Sequence, residues 1–212
     1  VLYTESHDEV AAESGQLRLP QQISPGGDGA DRWARKRSTL AAAVMLTAPG
    51  IPMLFMGQEF LERGGWSDAR GLDWSNLERF AGIHRYYRDL IRLRRDFSWT
   101  TSGLKGGGLG VLHVNEADKL IAYHRWDRGG PGDDVVVAVN FSARAFDGYA
   151  FGVPRSGLWR LRFNGDWGGY GEGFDDTPSI DSAATEEGRD GLPATLRIGI
   201  GPYTVLILSQ DR

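Results

Sequence analysis

The sequence contains no cysteine. A chain without cysteine has no disulfide framework, no thiol nucleophile and no cysteine-based metal site, and we expect a cytoplasmic protein. Long apolar runs are missing too: no stretch approaches the roughly 20 apolar residues that a membrane-spanning helix needs, and the N-terminus lacks the basic and apolar segments of a signal peptide. We therefore expect no membrane anchor.

An excess of positive charge is also absent. The chain has 24 Lys and Arg against 28 Asp and Glu, a net charge of −4, and no basic block that would suit a phosphate backbone. We therefore expect no nucleic-acid partner. With 212 residues, the chain is long enough for one large domain or two small ones, and for a sizeable core.

Residues 1–97 alternate between strand and helix patterns. Residues 1–3 predict a strand, Asp31 is placed to cap a helix over residues 32–47, and Pro49 with Gly50 ends that helix. The continuous apolar run IPMLFM at 51–56 indicates a strand buried on both faces. The helix is predicted to be amphipathic. Its expected inner face comprises Trp33, Leu40, Ala41 and Val44, and its expected outer face Arg35, Lys36 and Arg37.

A second helix is predicted over about residues 80–95. Its apolar residues recur at helical spacing, and basic residues near its C-terminal end complement the helix dipole. The expected buried residues are Phe80, Ile83, Tyr87, Leu90 and Ile91.

Residues 98–212 lose the helical period and predict an antiparallel β-sandwich. The segment WRLRF alternates strictly, which places Trp159, Leu161 and Phe163 on one face and Arg160 and Arg162 on the other. Turn-rich segments such as GGGLG and RGGPGDD separate the candidate strands. The other predicted strands are 111–115, 119–126, 134–141, 195–200 and 203–208.

The first half is an incomplete sheet by itself. Two neighbouring parallel strands leave both outer edges unpaired, so residues 1–97 are predicted to be the end of a larger α/β domain. The expected partner of these edges is the rest of that domain, or another copy of the chain through self-association.

Polar side chains follow both predicted strands of this half. His7, Asp8 and Glu9 come after the first strand, and Gln58 and Glu59 follow the second. Reactive side chains of α/β barrels occupy the C-terminal ends of strands, and a loop as long as residues 9–30 without structure of its own is unusual unless it shapes a site. The alternative is an ordinary polar loop, in which Asp8 caps a turn and His7 is solvated.

The order of motifs resembles the last part of the catalytic barrel in the α-amylase superfamily of glycoside hydrolases, and most resembles α-1,4-glucan branching enzymes. The motifs are YTESHDEV, the basic helix, TAPGIPMLFMGQEF, GLDWS and HRYYRDLIRLRRDF, and the ending GPYTVLIL is similar to the C-terminal β-domain of these enzymes. The resemblance implies an α/β plus all-β fold. Residues 1–97 would be strand 7 to helix 8 of a (β/α)8 barrel, and residues 98–212 an antiparallel β-sandwich.

The resemblance also implies roles for individual residues. Asp8 would stabilise the oxocarbenium-like transition state, and His7 would donate a hydrogen bond to the same sugar. Glu9 would line the acceptor side. Trp66 and Trp74 are candidates for stacking on sugar faces, with anchoring of their loop as the alternative, and a structural role is expected for Gln58 and Glu59.

The implied partner is an α-glucan such as glycogen, starch or a malto-oligosaccharide, and no cofactor is implied. A retaining enzyme needs a nucleophile and a general acid about 5 Å apart, and no segment matches the motifs that carry them, so the chain alone is expected to be inactive. Asp166, Asp175 and Asp176 lack the spacing of a calcium loop, and no metal site is predicted. Two alternatives stay open: a non-catalytic carbohydrate-binding or assembly module, and another hydrolase of the superfamily, amylolytic or maltooligosyltrehalose-forming.

Overall fold

The computed structural model describes residues 1–24 and 29–212. Within these residues lie four α-helices and eight β-strands. The helices are α1 (Leu19–Ile23), α2 (Arg32–Thr47), α3 (Ser75–Arg79) and α4 (Ala81–Arg94). The strands are β1 (Gly108–Asn115), β2 (Leu120–Trp126), β3 (Val135–Asn140), β4 (Phe146–Val153), β5 (Gly157–Asn164), β6 (Ser182–Ala184), β7 (Ala194–Ile200) and β8 (Thr204–Ser209).

Helix α2 begins where the sequence predicts. The Asp31 carboxylate accepts the backbone N–H groups of Trp33 at 2.8 Å and Ala34 at 3.1 Å, which satisfies two of the free donors of the first turn. The helix ends at Thr47, just before Pro49 and Gly50. No helix within the described residues is long and apolar enough to cross a membrane.

The predicted faces of α2 are partly wrong. Trp33, expected inside, is largely exposed, whereas Lys36, expected outside, is buried. The ammonium group of Lys36 forms an ion pair with Asp166, in the loop after β5, and that partner compensates the charge. Helical periodicity cannot identify such a burial, because its cause lies 130 residues away in the sequence.

Helix α4 buries the face that its periodicity predicts. Ile83, Tyr87 and Leu90 are buried in the core that the helices share with the large sheet, and Ile91 packs against that core. Arg94, in the last turn, donates to the carbonyl of Ala48 at 2.7 Å and so fixes the C-terminal ends of α2 and α4 relative to each other.

The two strands predicted in the first half are shorter than expected. Residues 1–3 and 51–56 meet in one parallel bridge, between Leu2 and Pro52. The Leu2 N–H donates to the carbonyl of Ile51 and the Met53 N–H to the carbonyl of Leu2, each at 2.8 Å. The predicted parallel direction is confirmed over this short contact. The long first loop is not wholly without structure, since it contains α1 and a 3₁₀ turn at Ala12–Ser14; part of it, residues 25–28, lies outside the described residues.

The second half is antiparallel throughout, as predicted. Six strands form one sheet in the order β1-β2-β3-β8-β5-β6, and β4 pairs with β7 in a second sheet. The central strands β3 and β8 are buried on both faces because helices α2 and α4 cover one side of the large sheet and the β4-β7 pair covers the other. The predicted domain boundary near residue 97 stays a prediction, since helices and large sheet share one core.

The strict alternation predicted for β5 is interrupted by a β-bulge. Leu161 pairs with Leu208 but Phe163 pairs with Ile207, so Arg162 is an extra residue in the strand. Trp159 therefore packs between the two sheets, while Phe163 packs on the opposite face against the helices. The expectation that both side chains share one face is wrong.

Candidate functional site

The exits of the two predicted strands lie together. The Leu2–Pro52 bridge aligns the segments in parallel, so the residues after each one leave at the same edge. Thr4 and Gln58 confirm this proximity: the Gln58 amide donates to the Thr4 hydroxyl, and its carbonyl oxygen accepts the Phe55 N–H at 3.3 Å. The buried Gln58 thus holds the two exits together, as expected of a structural residue.

His7 and Asp8 sit at the apex of a tight turn. The N–H groups of Glu9 and Val10 donate to the carbonyl of Ser6 at 3.2 and 3.1 Å, which closes the turn. His7 Nε2 lies 3.0 Å from Asp8 Oδ1, and the two side chains are 61% and 81% exposed. Glu9 is exposed on the same turn. The carboxylate and the imidazole are therefore accessible to a ligand from solvent.

Trp66, from the second loop, is brought beside this turn by backbone pairing. Its N–H donates to the carbonyl of Val10 at 2.6 Å, and its carbonyl accepts the Ala12 N–H at 2.8 Å. The indole meets the imidazole of His7 edge to face, with ring centroids 5.9 Å apart. Gly65 permits the pairing, since a β-carbon there would lie 2.5 Å from the Ala12 backbone.

A cavity of about 370 Å³ opens beside Trp66. Its walls combine an aromatic face with charged groups from both loops, which can bind the polar groups of a ligand. They are formed by Arg18, Met56, Glu62, Gly65, Trp66, Ser67, Asp68, Arg70, Gly71 and Leu72. Trp74, the other tryptophan of this loop, lies outside these walls and packs on Phe60 with centroids 5.5 Å apart.

A buried ion pair beneath the turn supports the arrangement. Arg18 Nη1 donates to Glu5 Oε2 at 2.9 Å, and both side chains are almost fully buried. Glu5 Oε1 also accepts the Leu19 N–H at 2.7 Å. Burial raises the pKa of Glu5, and the hydrogen bond and charge of Arg18 oppose that rise.

Arg18 also joins the first loop to the second. Its guanidinium donates to the carbonyl of Met56 at 3.1 Å and lies 4.9 Å from the centre of the Phe55 ring. The sequence analysis did not identify this residue. The signal in the sequence was weak, because Arg18 is a lone arginine in a polar loop and only the fold brings it to the Glu5 carboxylate.

Asp166 and Asp175, two of the acidic residues of the 166–176 segment, act in structural contacts. Asp166 is buried and accepts hydrogen bonds from Lys36 and from the Thr177 hydroxyl, and Asp175 pairs with Arg32. Over residues 1–24 and 29–212, no group of three or more His, Asp or Glu side chains is arranged to hold a metal ion.

Comparison with known proteins identifies the second half of the chain. Residues 112–211 match the family model of the α-amylase C-terminal all-β domain. This range contains the β-strands from the end of β1 to β8.

Similarity to individual proteins extends over almost the whole chain. The chain is 33% identical over 211 residues to the 1,4-alpha-glucan branching enzyme GlgB of Mycolicibacterium paratuberculosis, and the match covers 96% of this chain and 27% of that protein. It is also 33% identical to the GlgB of Dechloromonas aromatica, covering 97% of this chain and 32% of that protein. The chain therefore spans about a third or less of the length of these relatives.

Solved structures share the fold at lower sequence identity. A debranching enzyme from Nostoc punctiforme matches with a TM-score of 0.61 and 20% identity, covering 98% of this chain and 34% of that one. A pullulanase from Anoxybacillus sp. LM18-11, solved with maltotetraose, matches with a TM-score of 0.60 and 18% identity over 91% of this chain and 26% of that one. These structures share the fold, while the matched C-terminal domain of the α-amylase family and the similarity along nearly the whole chain relate the protein to 1,4-α-glucan branching enzymes.

Proposed function

We propose that this chain is the C-terminal part of an α-glucan-active enzyme of the branching type, which cleaves and re-forms α-1,4 linkages with retention of configuration. The observation that carries the proposal is the meeting of His7, Asp8 and Trp66 at one accessible edge, in a chain similar to branching enzymes along nearly its full length. The ligand in the pullulanase relative, maltotetraose, supports an α-glucan as the class of substrate.

The resemblance to branching enzymes implies the proposed roles, and charge and geometry are compatible with them. As a glycosidic bond breaks, positive charge develops on the sugar ring, and the fixed carboxylate of Asp8 stabilises it. His7, 3.0 Å from Asp8, orients a hydroxyl of the same sugar through an imidazole N–H. Trp66 offers an aromatic face next to that sugar, and Glu9, on the same turn, faces the acceptor side.

We also propose that residues 1–97 complete a (β/α)8 barrel as its strands 7 and 8 with their helices. The parallel bridge between Leu2 and Pro52 supports this, as does an apolar cavity of about 380 Å³ lined by Leu2, Tyr3 and Val44. Val1 is 77% exposed at the same edge. The rest of the barrel would cover this surface, and self-association is the other way to bury it. We propose a cytoplasmic location for the enzyme.

Catalysis then requires groups from outside this chain. Asp8 can stabilise developing charge, but one carboxylate cannot also protonate the leaving oxygen and form a covalent glycosyl intermediate. We therefore propose that the 212-residue chain alone neither hydrolyses nor transfers α-glucan.

The first experiment uses an enzyme that contains this segment within its longer chain. Asp8→Asn is expected to lower turnover by about 100-fold or more with little change in thermal stability, because it removes charge at the transition state and no packing. His7→Ala should have a smaller effect, and Glu13→Gln, an exposed acid in the same loop, serves as the control. Near wild-type activity of Asp8→Asn would refute the assignment.

The same preparations distinguish the possible reactions. Loss of iodine staining of amylose without new reducing ends indicates branching, whereas a matching rise in reducing ends indicates hydrolysis. Applied to the 212-residue chain, both assays should give no signal, and light scattering should detect self-association through the apolar edge. Clear activity from a monodisperse monomer would contradict the proposed dependence on the rest of the barrel.

A further inference from the structure

A second cavity, of about 310 Å³, lies between helix α4 and the large sheet. None of the residues around it belongs to the Asp8 site. Asp89 and Arg92 contribute from the C-terminal half of α4, Arg162 from the bulge of β5, and Trp167 and Tyr170 from the loop after β5. Nothing in the proposed reaction uses these side chains.

Trp167 is held in a defined position although it is 42% exposed. Its indole meets the ring of Tyr170 edge to face with centroids 5.1 Å apart, and the Arg85 guanidinium lies 5.8 Å from its centre. Gly169 is needed for this position, because a β-carbon there would lie 2.3 Å from the indole. A partly exposed but positioned indole offers an aromatic surface to a ligand with little loss of side-chain entropy on binding.

Polar groups with spare hydrogen-bonding capacity surround this indole. The Asp89 carboxylate accepts a hydrogen bond from the Tyr170 hydroxyl at 3.2 Å, lies 3.9 Å from the Arg88 guanidinium, and remains partly accessible. Arg92 is exposed, and its guanidinium makes no hydrogen bond or ion pair within the part of the chain that the structure describes. Arg162, in contrast, is fixed by Ser209 Oγ at 2.9 Å and by Asp211.

The charges favour a neutral ligand over an anion. Asp211 compensates Arg162, and Asp89, which pairs with Arg88, faces the same space as Arg92, so a phosphate or carboxylate would meet a carboxylate there. A pyranose ring suits these walls better. Its C–H face packs on an indole, and its vicinal hydroxyls donate to a carboxylate and accept from a guanidinium.

We infer that this cavity is a second α-glucan-binding site, separate from the Asp8 site, in which Trp167 stacks on a glucose unit and Asp89 and Arg92 bind its hydroxyls. The inference rests on the proposed function for its choice of sugar. The size of the cavity, at the lower end for ligand pockets, limits the contact to one or two sugar units. Such a site would hold a polymeric substrate on the protein while another part of it is processed.

The test is calorimetric titration of the chain with maltoheptaose. Trp167→Ala should weaken binding at this site by about fivefold or more, and Arg92→Ala should also weaken it, since each removes a direct contact. Trp99→Ala is the matched control, because Trp99 is an exposed tryptophan that does not line the cavity. If Trp167→Ala fails to fold, the exposed Arg92→Ala keeps the test valid.

Each outcome supports or overturns the inference. Loss of affinity in the Trp167 and Arg92 variants, with none in Trp99→Ala, supports it. Unchanged affinity in both variants overturns it, and so does competition by inorganic phosphate, which would indicate an anion site. Turnover of Asp8→Asn reports on the Asp8 site, whereas the affinities of the Trp167 and Arg92 variants report on this cavity, so failure of the Asp8 assignment and failure of this second site give different results.

Discussion

Lys36 on α2 and Asp166 after β5 form an ion pair in which both side chains are almost wholly excluded from solvent. Burial lowers the pKa of Lys36, whereas the hydrogen bond and charge of Asp166 raise it. Asp166 is further bound by the Thr177 hydroxyl at 2.6 Å and the Asp175 N–H at 3.1 Å. The pair therefore joins the helical half of the molecule to the β-domain.

Removing the lysine charge should destabilise the fold strongly. Lys36→Met leaves a buried carboxylate without its cation, and we expect a loss of about 3 to 5 kcal/mol in the free energy of unfolding. The adjacent Arg37→Met is the control, because Arg37 is exposed and its contacts, with the Trp33 and Tyr203 rings and the Tyr203 hydroxyl, lie at the surface; it should cost less than about 1 kcal/mol. Similar urea midpoints for the two variants would show that the pair does not stabilise the fold.

Alkaline pH should destabilise the protein through Tyr123. Burial raises the pKa of Tyr123 to about 12 from its ordinary 10.0, although its hydroxyl lies 2.5 Å from Thr47 Oγ1. Between pH 10 and 12 the unfolded chain releases a proton that the folded chain retains, so stability falls as pH rises, by about 1 to 3 kcal/mol from this group. Below pH 10 its contribution is fully present.

The variant Tyr123→Phe tests this assignment. Its stability should fall less steeply between pH 10 and 12 than that of the wild type, when unfolding is measured by urea titration at each pH. Part of the slope should persist, because burial also raises the pKa of Tyr86 and Tyr87. An unchanged slope would show that Tyr123 does not contribute.

Local signals in the sequence predicted α2, α4 and six of the eight strands, whereas several burial patterns depended on contacts between residues far apart in the sequence. Helix α2 could be placed because Asp31 and Pro49 mark its ends, and β3 and β8 because their apolar runs identify buried strands. Strand β4 was not predicted, since its residues show no clear alternation. The burial of Lys36 depends on Asp166, far away along the chain, and periodicity carries no information about it.

The candidate site likewise combines residues that local sequence signals identify with contacts that only the fold creates. His7 and Asp8 could be selected from a motif at the end of a strand, but their contact with Trp66 depends on pairing between two loops. The bulge in β5 was missed for a related reason: alternation of residue type is unbroken across Arg162, and only the pairing with β8 reveals the extra residue.

This bulge predicts that Trp159 and Phe163 act independently. Trp159→Phe and Phe163→Leu should each cost about 1 to 2 kcal/mol, and the double variant should cost their sum within about 0.5 kcal/mol, because the side chains lie on opposite faces. Leu158→Ala, at an exposed position of the same strand, should have little effect. A marked departure from additivity would indicate one shared core, as simple alternation predicts.

The Glu5–Arg18 pair gives the last prediction, which concerns the loop under the Asp8 turn. Arg18→Met leaves Glu5 buried without its cation and removes the donors to the Met56 carbonyl, so the first loop loses one of its attachments to the second. Protease should then cut this loop faster than in the wild type.

Glu5→Gln keeps an acceptor for the Leu19 N–H and should be milder. In the double variant Glu5→Gln with Arg18→Met, no unpaired charge remains, and part of the protection should return. If Arg18→Met is cut no faster than the wild type, the pair does not hold the loop, and the other contacts between the loops, the backbone pairing at Trp66 and the Gly64 N–H bond to Gln21, are sufficient.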